Sequence, residues 1–194
     1  MRERFDEFKG QRTATAVGRP STILGVDPDS RASALCVADY CARDGVYLVR
    51  EVIGGGTPKD AAPWQSTHGI AELLRGLVAE RDPSELVVAV ETQGLKSEFA
   101  HDCEPLFRWR YTCAALCELR GVRCIEVDPT MWMRLYVPQA FKRGAGKGAA
   151  KVGYMARARE LVGRKVATNE DRCAAVGIAS WLAAQFGCEL RVRP

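Results

Sequence analysis

Residues 23–37 read ILGVDPDSRASALCV, two apolar runs joined by a short polar turn. This pattern predicts two antiparallel strands. The first strand ends at Asp27, and a carboxylate at the end of an apolar strand is costly to bury unless it is paired, hydrogen-bonded or bound to a metal. Asp27 therefore either opens the turn before Pro28, a role that suits aspartate, or belongs to a functional site.

The strand pattern continues C-terminally from this pair. Residues 45–54, GVYLVREVIG, predict a third strand that completes an antiparallel three-strand meander. Residues 85–91, ELVVAVE, and residues 122–129, VRCIEVDP, are apolar runs of strand length. Such runs are typical of strands covered by helices on both faces of a sheet.

Apolar residues at helical spacing predict four helices. Their ranges are 63–81, about 105–120, 151–163 and 169–187. The order of elements predicts an α/β fold, a mixed sheet with the meander at one side and helices on both faces. Because 194 residues suit one domain, we expect a flexible arm at 1–21 and a single domain at 22–194.

The composition favours a cytoplasmic protein without a membrane partner. No apolar run approaches the roughly 20 residues that span a bilayer, and the first 21 residues lack the apolar centre of a signal peptide. The eight cysteines contain no Cys-x-x-Cys pair, and His68 and His101 do not extend them into a zinc-ligand pattern. We therefore expect reduced thiols that pack as small apolar residues.

The basic residues are concentrated in one segment. Between Arg134 and Lys165 the chain has nine basic residues and one acid, Glu160, although the whole chain carries only +4. This clustering predicts a surface that binds a polyanion such as nucleic acid, and a solvated helix face is the alternative. The loop RGAGKGAAK, residues 143–151, either lets the backbone approach a phosphate or serves as a flexible hinge.

Three acids lie where the predicted elements begin or end. Asp27 and Glu91 end strands, and Asp171 opens the last helix. The apolar positions 174, 175, 178 and 182 follow Asp171 at helical spacing, which predicts that this acid lies on the helix face toward the sheet. Converging carboxylates repel one another unless cations neutralise them, and oxygen ligands suit Mg²⁺ or Mn²⁺.

Each acid also has a structural interpretation. Asp171 could be a first-turn acid favoured by the helix dipole, behind an Asn169 cap. Glu126 and Asp128 end the neighbouring strand and are expected to lie at the periphery of a site. Glu91 is harder to explain in this way, because a carboxylate that closes so apolar a run needs a partner. Trp132 is expected to pack in the core.

Five stretches occur in the order found in one family. They are ILGVDPDS (23–30), LVVAVET (86–92), VDPTMW (127–132), GAGKGAAK (144–151) and NEDRCAAVGIA (169–179). From about Ile23 to Ala184 the chain resembles RuvC-type Holliday junction resolvases, and it is most similar to their divergent phage and viral members. The resemblance implies the ribonuclease H-like fold and a metal-dependent endodeoxyribonuclease that cleaves four-way DNA junctions.

The resemblance also implies the site. Asp27, Glu91 and Asp171 match the catalytic, metal-binding acids, with Glu170 as a further candidate ligand and two Mg²⁺ or Mn²⁺ ions per active site. Lys151 matches a basic residue near the DNA backbone. We expect phosphate contacts from the basic segment at Lys142, Arg143, Lys147, Lys151 and Arg157.

Symmetric cleavage of two strands implies a homodimer. The candidate interface is the helix at 105–120, whose larger apolar residues are either interface or core: Phe107, Trp109, Tyr111 and Leu116. The chain departs from the family pattern in two places. Ala174 stands where a second aspartate is usual, and Thr92-Gln93-Gly94 stand where bacterial members carry an aromatic residue.

Three other functions remain open from the sequence. The first is a related nuclease that cuts flaps, forks or RNA–DNA hybrids. The second is a catalytically silent junction-binding protein, if Ala174 marks the loss of metal binding. The third is a nucleotide-binding protein of the actin and sugar-kinase type, against which the absence of a second phosphate-binding glycine motif argues.

Overall fold

The computed structural model describes residues 18–28, 33–55, 71–72, 74–92, 104–142, 146 and 148–193, with backbone alone for 104–110. The described residues form one six-stranded sheet in the order β5-β4-β1-β2-β3-β6. The strands are β1 (Thr22–Asp27), β2 (Ala34–Cys41), β3 (Val46–Gly54), β4 (Leu86–Glu91), β5 (Arg123–Val127) and β6 (Leu190–Val192).

The sheet is mixed. Strands β1, β2 and β3 form the antiparallel meander, β4 pairs parallel with β1, and β5 pairs parallel with β4. Strand β6 pairs parallel with β3 at the other edge. The carboxyl ends of the three parallel strands β1, β4 and β5 therefore meet at one edge of the sheet.

Five α-helical segments accompany the sheet in the described part of the chain. They are α1 (74–79), α2 (Glu104–Leu119), α3 (Pro129–Tyr136), α4 (Ala149–Val162) and α5 (Glu170–Gln185). Their ends follow from local chemistry. The Asn169 side chain accepts a hydrogen bond from the Arg172 backbone N–H and caps α5, as the sequence predicted. After α5, Gly187 has φ +69°, the left-handed conformation that glycine adopts without strain.

Strand alternation divides the core into two clusters, one on each face of the sheet. Ile23 of β1 and Ala89 of β4 pack in the cluster that contains α3, α4 and α5. Leu24 and Val90, one residue away along the same strands, pack in the cluster with α1 and α2. Because successive strand side chains point to opposite faces, the last residues of β1 and β4 lie on the α3–α5 face.

Gly25 sets the distance between β1 and α5. A Cβ at Gly25 would lie 2.4 Å from the carbonyl oxygen of Ala175 and 2.5 Å from the backbone nitrogen of Ala179. The backbones of strand and helix are therefore in direct contact, which only glycine permits at this position. This contact fixes how far the first residues of α5 stand from the end of β1.

The predicted architecture is confirmed: a mixed sheet with the meander and with helices on both faces. The predicted helix at 63–81 is helical at 71–72 and 74–79 and ends before residues 80–81, which form a bend. Two elements were missed. Strand β6 is three residues long with one buried side chain, too short to produce a pattern. Helix α3 does have a start signal, because Asp128 is followed by Pro129 at the first helical position.

Residues 18–21, which the arm prediction includes, contact the sheet. The Tyr47 hydroxyl donates a hydrogen bond to the Pro20 carbonyl at 2.8 Å, and Arg19 donates to the Tyr40 hydroxyl, also at 2.8 Å. The rest of the predicted arm, residues 1–17, lies outside the described residues. In the part of the chain that the structure describes, no helix combines the length and apolarity needed to cross a membrane.

We expect Gly25→Ala to lower the free energy of unfolding by about 1–3 kcal/mol or more, because the added methyl group meets helix backbone that cannot rotate away. The measurement is urea unfolding followed by circular dichroism. Gly76→Ala is the control, since a Cβ at Gly76 in α1 meets nothing within 4 Å and alanine favours a helix. Equal destabilisation by both substitutions would contradict the contact at Gly25.

Candidate functional site

Two carboxylates lie side by side where β1 and β4 end. Val26 pairs with Val90 in the parallel register, so Asp27 and Glu91 each follow one residue later on neighbouring strands. Both side chains lie on the α3–α5 face, and adjacent strands are about 4.8 Å apart. Asp27 is 9% exposed. The sheet thus brings together two of the acids that the sequence singled out.

Glu91 is held by a neighbouring indole. The Nε1–H of Trp132 donates a hydrogen bond to Glu91 Oε2 at 2.6 Å. Burial raises the pKa of Glu91 to about 7; the bond from Trp132 lowers this pKa, and the negative charges of Asp128 and Glu170 raise it. A carboxyl group in this setting favours its protonated form unless a cation compensates the charge.

Glu170, the first residue of α5, has two partners on α4. The Tyr154 hydroxyl donates a hydrogen bond to Oε1 of Glu170 at 3.0 Å, and Lys151 forms an ion pair with Oε2. Burial raises the pKa of Tyr154, and so do its hydrogen bond to Glu170 and the charges of Glu170, Asp27 and Glu91. The charges of three carboxylates, from β1, β4 and α5, therefore act on Tyr154, which is hydrogen-bonded to the one from α5.

Asp171 occupies the next position on α5. Its Oδ2 accepts a hydrogen bond from the Asn169 side chain at 2.9 Å, and its side chain is partly exposed. The apolar residues that follow it at helical spacing are buried, as predicted, including Ala175 and Ile178. The contacts that connect the start of α5 to Tyr154 and Glu91, however, run through Glu170.

The other acids near these strand ends have different surroundings. Val127 packs in the α3–α5 cluster, so Glu126, which precedes it, lies on the opposite face and is exposed. Asp128 caps α3 by accepting a hydrogen bond from the Thr130 backbone N–H at 2.7 Å. Its charge still reaches Glu91, as the raised pKa of Glu91 indicates.

Trp132 is 1% exposed, in agreement with its expected place in the core. Sequence reasoning missed its second role, the hydrogen bond to Glu91. The available signal was the chemistry of the two residues: a buried indole N–H needs an acceptor, and a buried carboxylate needs a donor. Their separation along the chain concealed the pairing, because the two residues are 41 positions apart.

The basic residues expected to contact DNA have different environments. Lys142 is exposed, and Lys151 is about half-exposed while paired with Glu170. Arg157 donates a hydrogen bond to the Tyr136 carbonyl, and its guanidinium carbon lies 4.8 Å from the centre of the Tyr136 ring. The other two residues expected to contact DNA, Arg143 and Lys147, lie outside the part of the chain that the structure describes.

The donor chemistry at the sheet edge suits a hard divalent cation, since the candidate ligands are carboxylate oxygens. Within the described ranges, no three Asp, Glu, His or Cys side chains lie close enough together to hold one ion. Glu91 and Glu170 are instead directed toward Trp132, Tyr154 and Lys151. The residues fit a cation by type, and their present orientation is set by these three neighbours.

Helix α2 was the candidate interface for a dimer. Tyr111 is 62% exposed, whereas Leu116 packs against the cluster beneath α1 and α2. The side chains of Phe107 and Trp109 lie outside the described residues. One face of α2 therefore covers the sheet, and Tyr111 lies on its solvent side.

The fold matches solved structures of junction resolvases. The Thermus thermophilus RuvC structure is 16% identical with a TM-score of 0.59, over 87% of this chain and 98% of that one. Fowlpox virus resolvase, in complex with substrate Holliday junction DNA, is 14% identical with a TM-score of 0.55, over 86% and 97%. The yeast mitochondrial Holliday junction resolvase Ydc2 is 15% identical with a TM-score of 0.59, over 93% and 85%.

These matches define the class of fold. The chain has a ribonuclease H-like fold, in the form seen in RuvC-type resolvases, and the predicted resemblance is confirmed at the level of the fold. No protein-family model matches the chain, and no curated protein matches it in sequence.

The raised pKa of Glu91 predicts a pH-dependent stability without divalent cations. A group whose pKa rises from 4.5 unfolded to about 7 folded holds its proton longer in the folded state. Stability therefore falls as pH rises through this interval, by on the order of 2–3 kcal/mol. We expect Glu91→Gln to reduce this fall, measured by urea unfolding in EDTA between about pH 5 and pH 8.

Glu126→Gln is the matched control, because it removes an exposed carboxylate from the opposite face. We expect it to leave the pH dependence as in the wild type. The explanation through Glu91 would be wrong if Glu91→Gln and Glu126→Gln gave the same dependence.

Proposed function

We propose that this protein is a metal-dependent endonuclease that cleaves four-way DNA junctions by phosphodiester hydrolysis. The observation that carries the proposal is the position of Asp27 and Glu91 at the ends of neighbouring parallel strands, with Glu170 hydrogen-bonded to Tyr154, whose pKa the charges of all three acids raise. The fold adds support, because similar structures include RuvC and fowlpox virus resolvase in complex with Holliday junctions.

The carboxylates would hold Mg²⁺ or Mn²⁺, two ions per active site. Bound in this way, divalent cations supply an activated water and stabilise the charge on the leaving 3′ oxygen. Asp27 and Glu91 are the proposed ligands from the sheet, and the start of α5 provides the third. Three converging carboxylates in a partly buried place are costly without a cation, which is the physical argument for this occupant.

We propose Glu170 as the third carboxylate, with Asp171 as its alternative. Glu170 accepts the hydrogen bond of the Tyr154 hydroxyl, and the charges of Asp27, Glu91 and Glu170 all raise the pKa of Tyr154. The charge of Glu170 also contributes to the raised pKa of Glu91. The side chain of Asp171 accepts a hydrogen bond from Asn169, the residue that caps α5. A contribution from Glu170 would also reduce the importance of the aspartate that Ala174 replaces.

The chain's own residues would prepare the site for a phosphodiester. Trp132 and Tyr154 orient two of the carboxylates by donating hydrogen bonds to them. Lys151 carries its ammonium group to the edge of the site, where it is about half-exposed. When DNA binds, the ammonium group of Lys151 can leave Glu170 and pair with a phosphate oxygen, because phosphate oxygens accept hydrogen bonds from ammonium groups as carboxylates do.

The basic segment would supply much of the affinity for DNA. No acidic residue occurs between Asp128 and Glu160, a stretch that holds seven basic residues. We propose phosphate contacts at Lys142 and Lys151, and at Arg143 and Lys147 in the neighbouring loop. Arg157 remains a proposed phosphate contact from the sequence analysis. The alternative is a structural role, since Arg157 packs on Tyr136. Paired nicks require two active sites, so the proposal includes a homodimer.

We expect symmetric paired nicks in a labelled synthetic four-way junction with Mg²⁺ or Mn²⁺. Asp27→Asn and Glu91→Gln should each reduce the cleavage rate by more than the roughly 10–100-fold that loss of a ligand's hydrogen-bond partner costs. Glu170→Gln should reduce it more than Asp171→Asn. Glu126→Gln should cut at the wild-type rate, because Glu126 faces away from the site.

The outcomes separate the alternatives. Junction binding in EDTA without cleavage in either metal would indicate a catalytically silent binding protein. Faster cleavage of flaps, forks or RNA–DNA hybrids would indicate a related nuclease of different specificity. Failure to bind or cut any of these substrates would contradict the proposal, and binding of ATP would favour the nucleotide-binding alternative.

Junction affinity should fall steeply with added salt, because binding releases counterions from phosphates. We expect Lys142→Ala to weaken binding and to reduce the slope of log affinity against log salt by about 1. Fluorescence anisotropy in EDTA at several KCl concentrations measures this slope. Arg43→Ala is the matched control, since Arg43 is exposed in the β2–β3 turn at the opposite end of the sheet. Equal effects from both substitutions would argue against a specific basic surface.

A further inference from the structure

We propose that Trp132 is a positioning residue of this site. Its indole holds Glu91, and its contact with Tyr154 sets Glu91 and Glu170 at a fixed spacing. The inference rests on the proposed function, because it concerns how the carboxylates are presented to a divalent cation. It adds a residue from a different element, α3, to a site otherwise built from β1, β4, α4 and α5.

The hydrogen bond itself is well suited to positioning. The indole nitrogen of Trp132 can only donate, and it lies 2.6 Å from Glu91 Oε2. With Trp132 at 1% exposure, water has little access to replace the bond. A short bond from a buried donor to a carboxylate is among the stronger kinds, and it restricts rotation of the glutamate side chain.

The backbone explains why the indole reaches Glu91. Strand β5 pairs with β4 so that Val127 lies beside Glu91, and the Thr92 N–H donates to the Val127 carbonyl at 2.8 Å. Asp128 then caps α3, which starts immediately after β5. Trp132 stands one turn along this helix, so its distance from Glu91 is fixed by the pairing of two strand ends.

The far side of the indole is supported by α5. A Cβ at Gly177 would lie 2.5 Å from Cζ3 of Trp132 and 2.9 Å from Cε3. Only glycine leaves room for the ring at this position. The indole is therefore enclosed between the end of the sheet and the backbone of α5, with little freedom to move away from Glu91.

Tyr154 continues the chain of contacts to the other carboxylate. The rings of Trp132 and Tyr154 meet edge to face, with centroids 5.2 Å apart and planes at 68°. The Tyr154 hydroxyl donates to Glu170 Oε1 at 3.0 Å. The sequence of contacts Glu91–Trp132–Tyr154–Glu170 links β4 to α5 through two packed rings. Such preorganisation raises metal affinity by reducing the cost of ordering the ligands.

The first experiment tests the hydrogen bond without any metal. In ¹⁵N-labelled protein the indole N–H groups of the four tryptophans give separate resonances, and Trp132→Phe identifies that of Trp132. We expect this resonance to shift in Glu91→Gln, because a carboxylate acceptor becomes an amide. Tyr136→Phe is the control: its ring lies 6.4 Å from that of Trp132, one turn along α3, and it should leave the resonance nearly unchanged.

The second experiment measures Mn²⁺ affinity by calorimetry, independently of cleavage. We expect Trp132→Phe to weaken Mn²⁺ binding about 10–100-fold, the usual effect of losing a ligand's hydrogen-bond partner, and Tyr136→Phe to leave it unchanged. In a Glu91→Gln background, Trp132→Phe should add little, since the carboxylate that Trp132 would position is already absent. Circular dichroism of each variant excludes unfolding as the cause. If Trp132→Phe does not fold, nuclear Overhauser contacts between the indole and the adjacent Tyr154 ring identify the Trp132 resonance, and its shift in Glu91→Gln remains decisive.

The outcomes distinguish this inference from the proposed function. A folded Trp132→Phe variant that binds Mn²⁺ like the wild type would overturn the positioning role, while junction cleavage abolished by Asp27→Asn would still support the nuclease. An indole resonance that does not respond to Glu91→Gln would also overturn it. A wild type that neither binds Mn²⁺ nor cuts DNA would overturn the proposed function and, with it, the role of Trp132 toward a cation.

Discussion

The site depends on the direct contact between β1 and α5 at Gly25. Because no side chain separates the two backbones, the first turn of α5 is brought against the end of the strand that carries Asp27. Helix α5 is almost entirely buried beyond its first turn, and it makes contacts with β1, β2, β3, β4 and β6. The place of Glu170 is consequently set by the packing of the whole sheet on this helix.

The electrostatic cost of the site is met by specific neighbours. Two strand ends and a helix start bring Asp27, Glu91 and Glu170 to the same edge of the sheet, and burial, together with the charges of Asp128 and Glu170, raises the pKa of Glu91. Trp132, Tyr154 and Lys151 donate hydrogen bonds or positive charge to these groups. These neighbours are neutral donors and one partly exposed ammonium, which stabilise carboxylates less than a divalent cation in the same place would.

Much of the fold could be predicted because it depends on local pattern. The apolar run that ends in Asp27, the turn after it and the amphipathic spacing after Asn169 are each readable within 20 residues. The expected convergence of Asp27 and Glu91 follows in the structure from the order of the strands, since both acids end neighbouring parallel strands. Strand β6 was not predictable, because three residues pair with β3 only after α5 has placed them beside it.

The side-chain contacts within the site could not be predicted from local sequence patterns. Helical spacing alone did not distinguish Glu170 from Asp171 as the third carboxylate. The structure adds that Glu170 contacts Tyr154 and Lys151 of α4, whereas Asp171 accepts a hydrogen bond from Asn169. The partner of Lys151 was also not predictable from the sequence. The basic pattern grouped Lys151 with the DNA contacts, whereas the structure pairs it with Glu170. Arg157, from the same group, packs on Tyr136.

The sequence by itself determined the strands and helices other than β6 and α3 and their order along the chain, the alternation that turns the strand-end acids toward one face, and the chemistry of the candidate ligands. Only the tertiary structure decided which side chains form hydrogen bonds with these ligands. Glu91 meets Trp132, and Glu170 meets Tyr154, across separations of 41 and 16 positions. These pairings follow from the close approach of helix and sheet at Gly25 and Gly177, which is a property of packed backbones and leaves no periodic pattern in the chain.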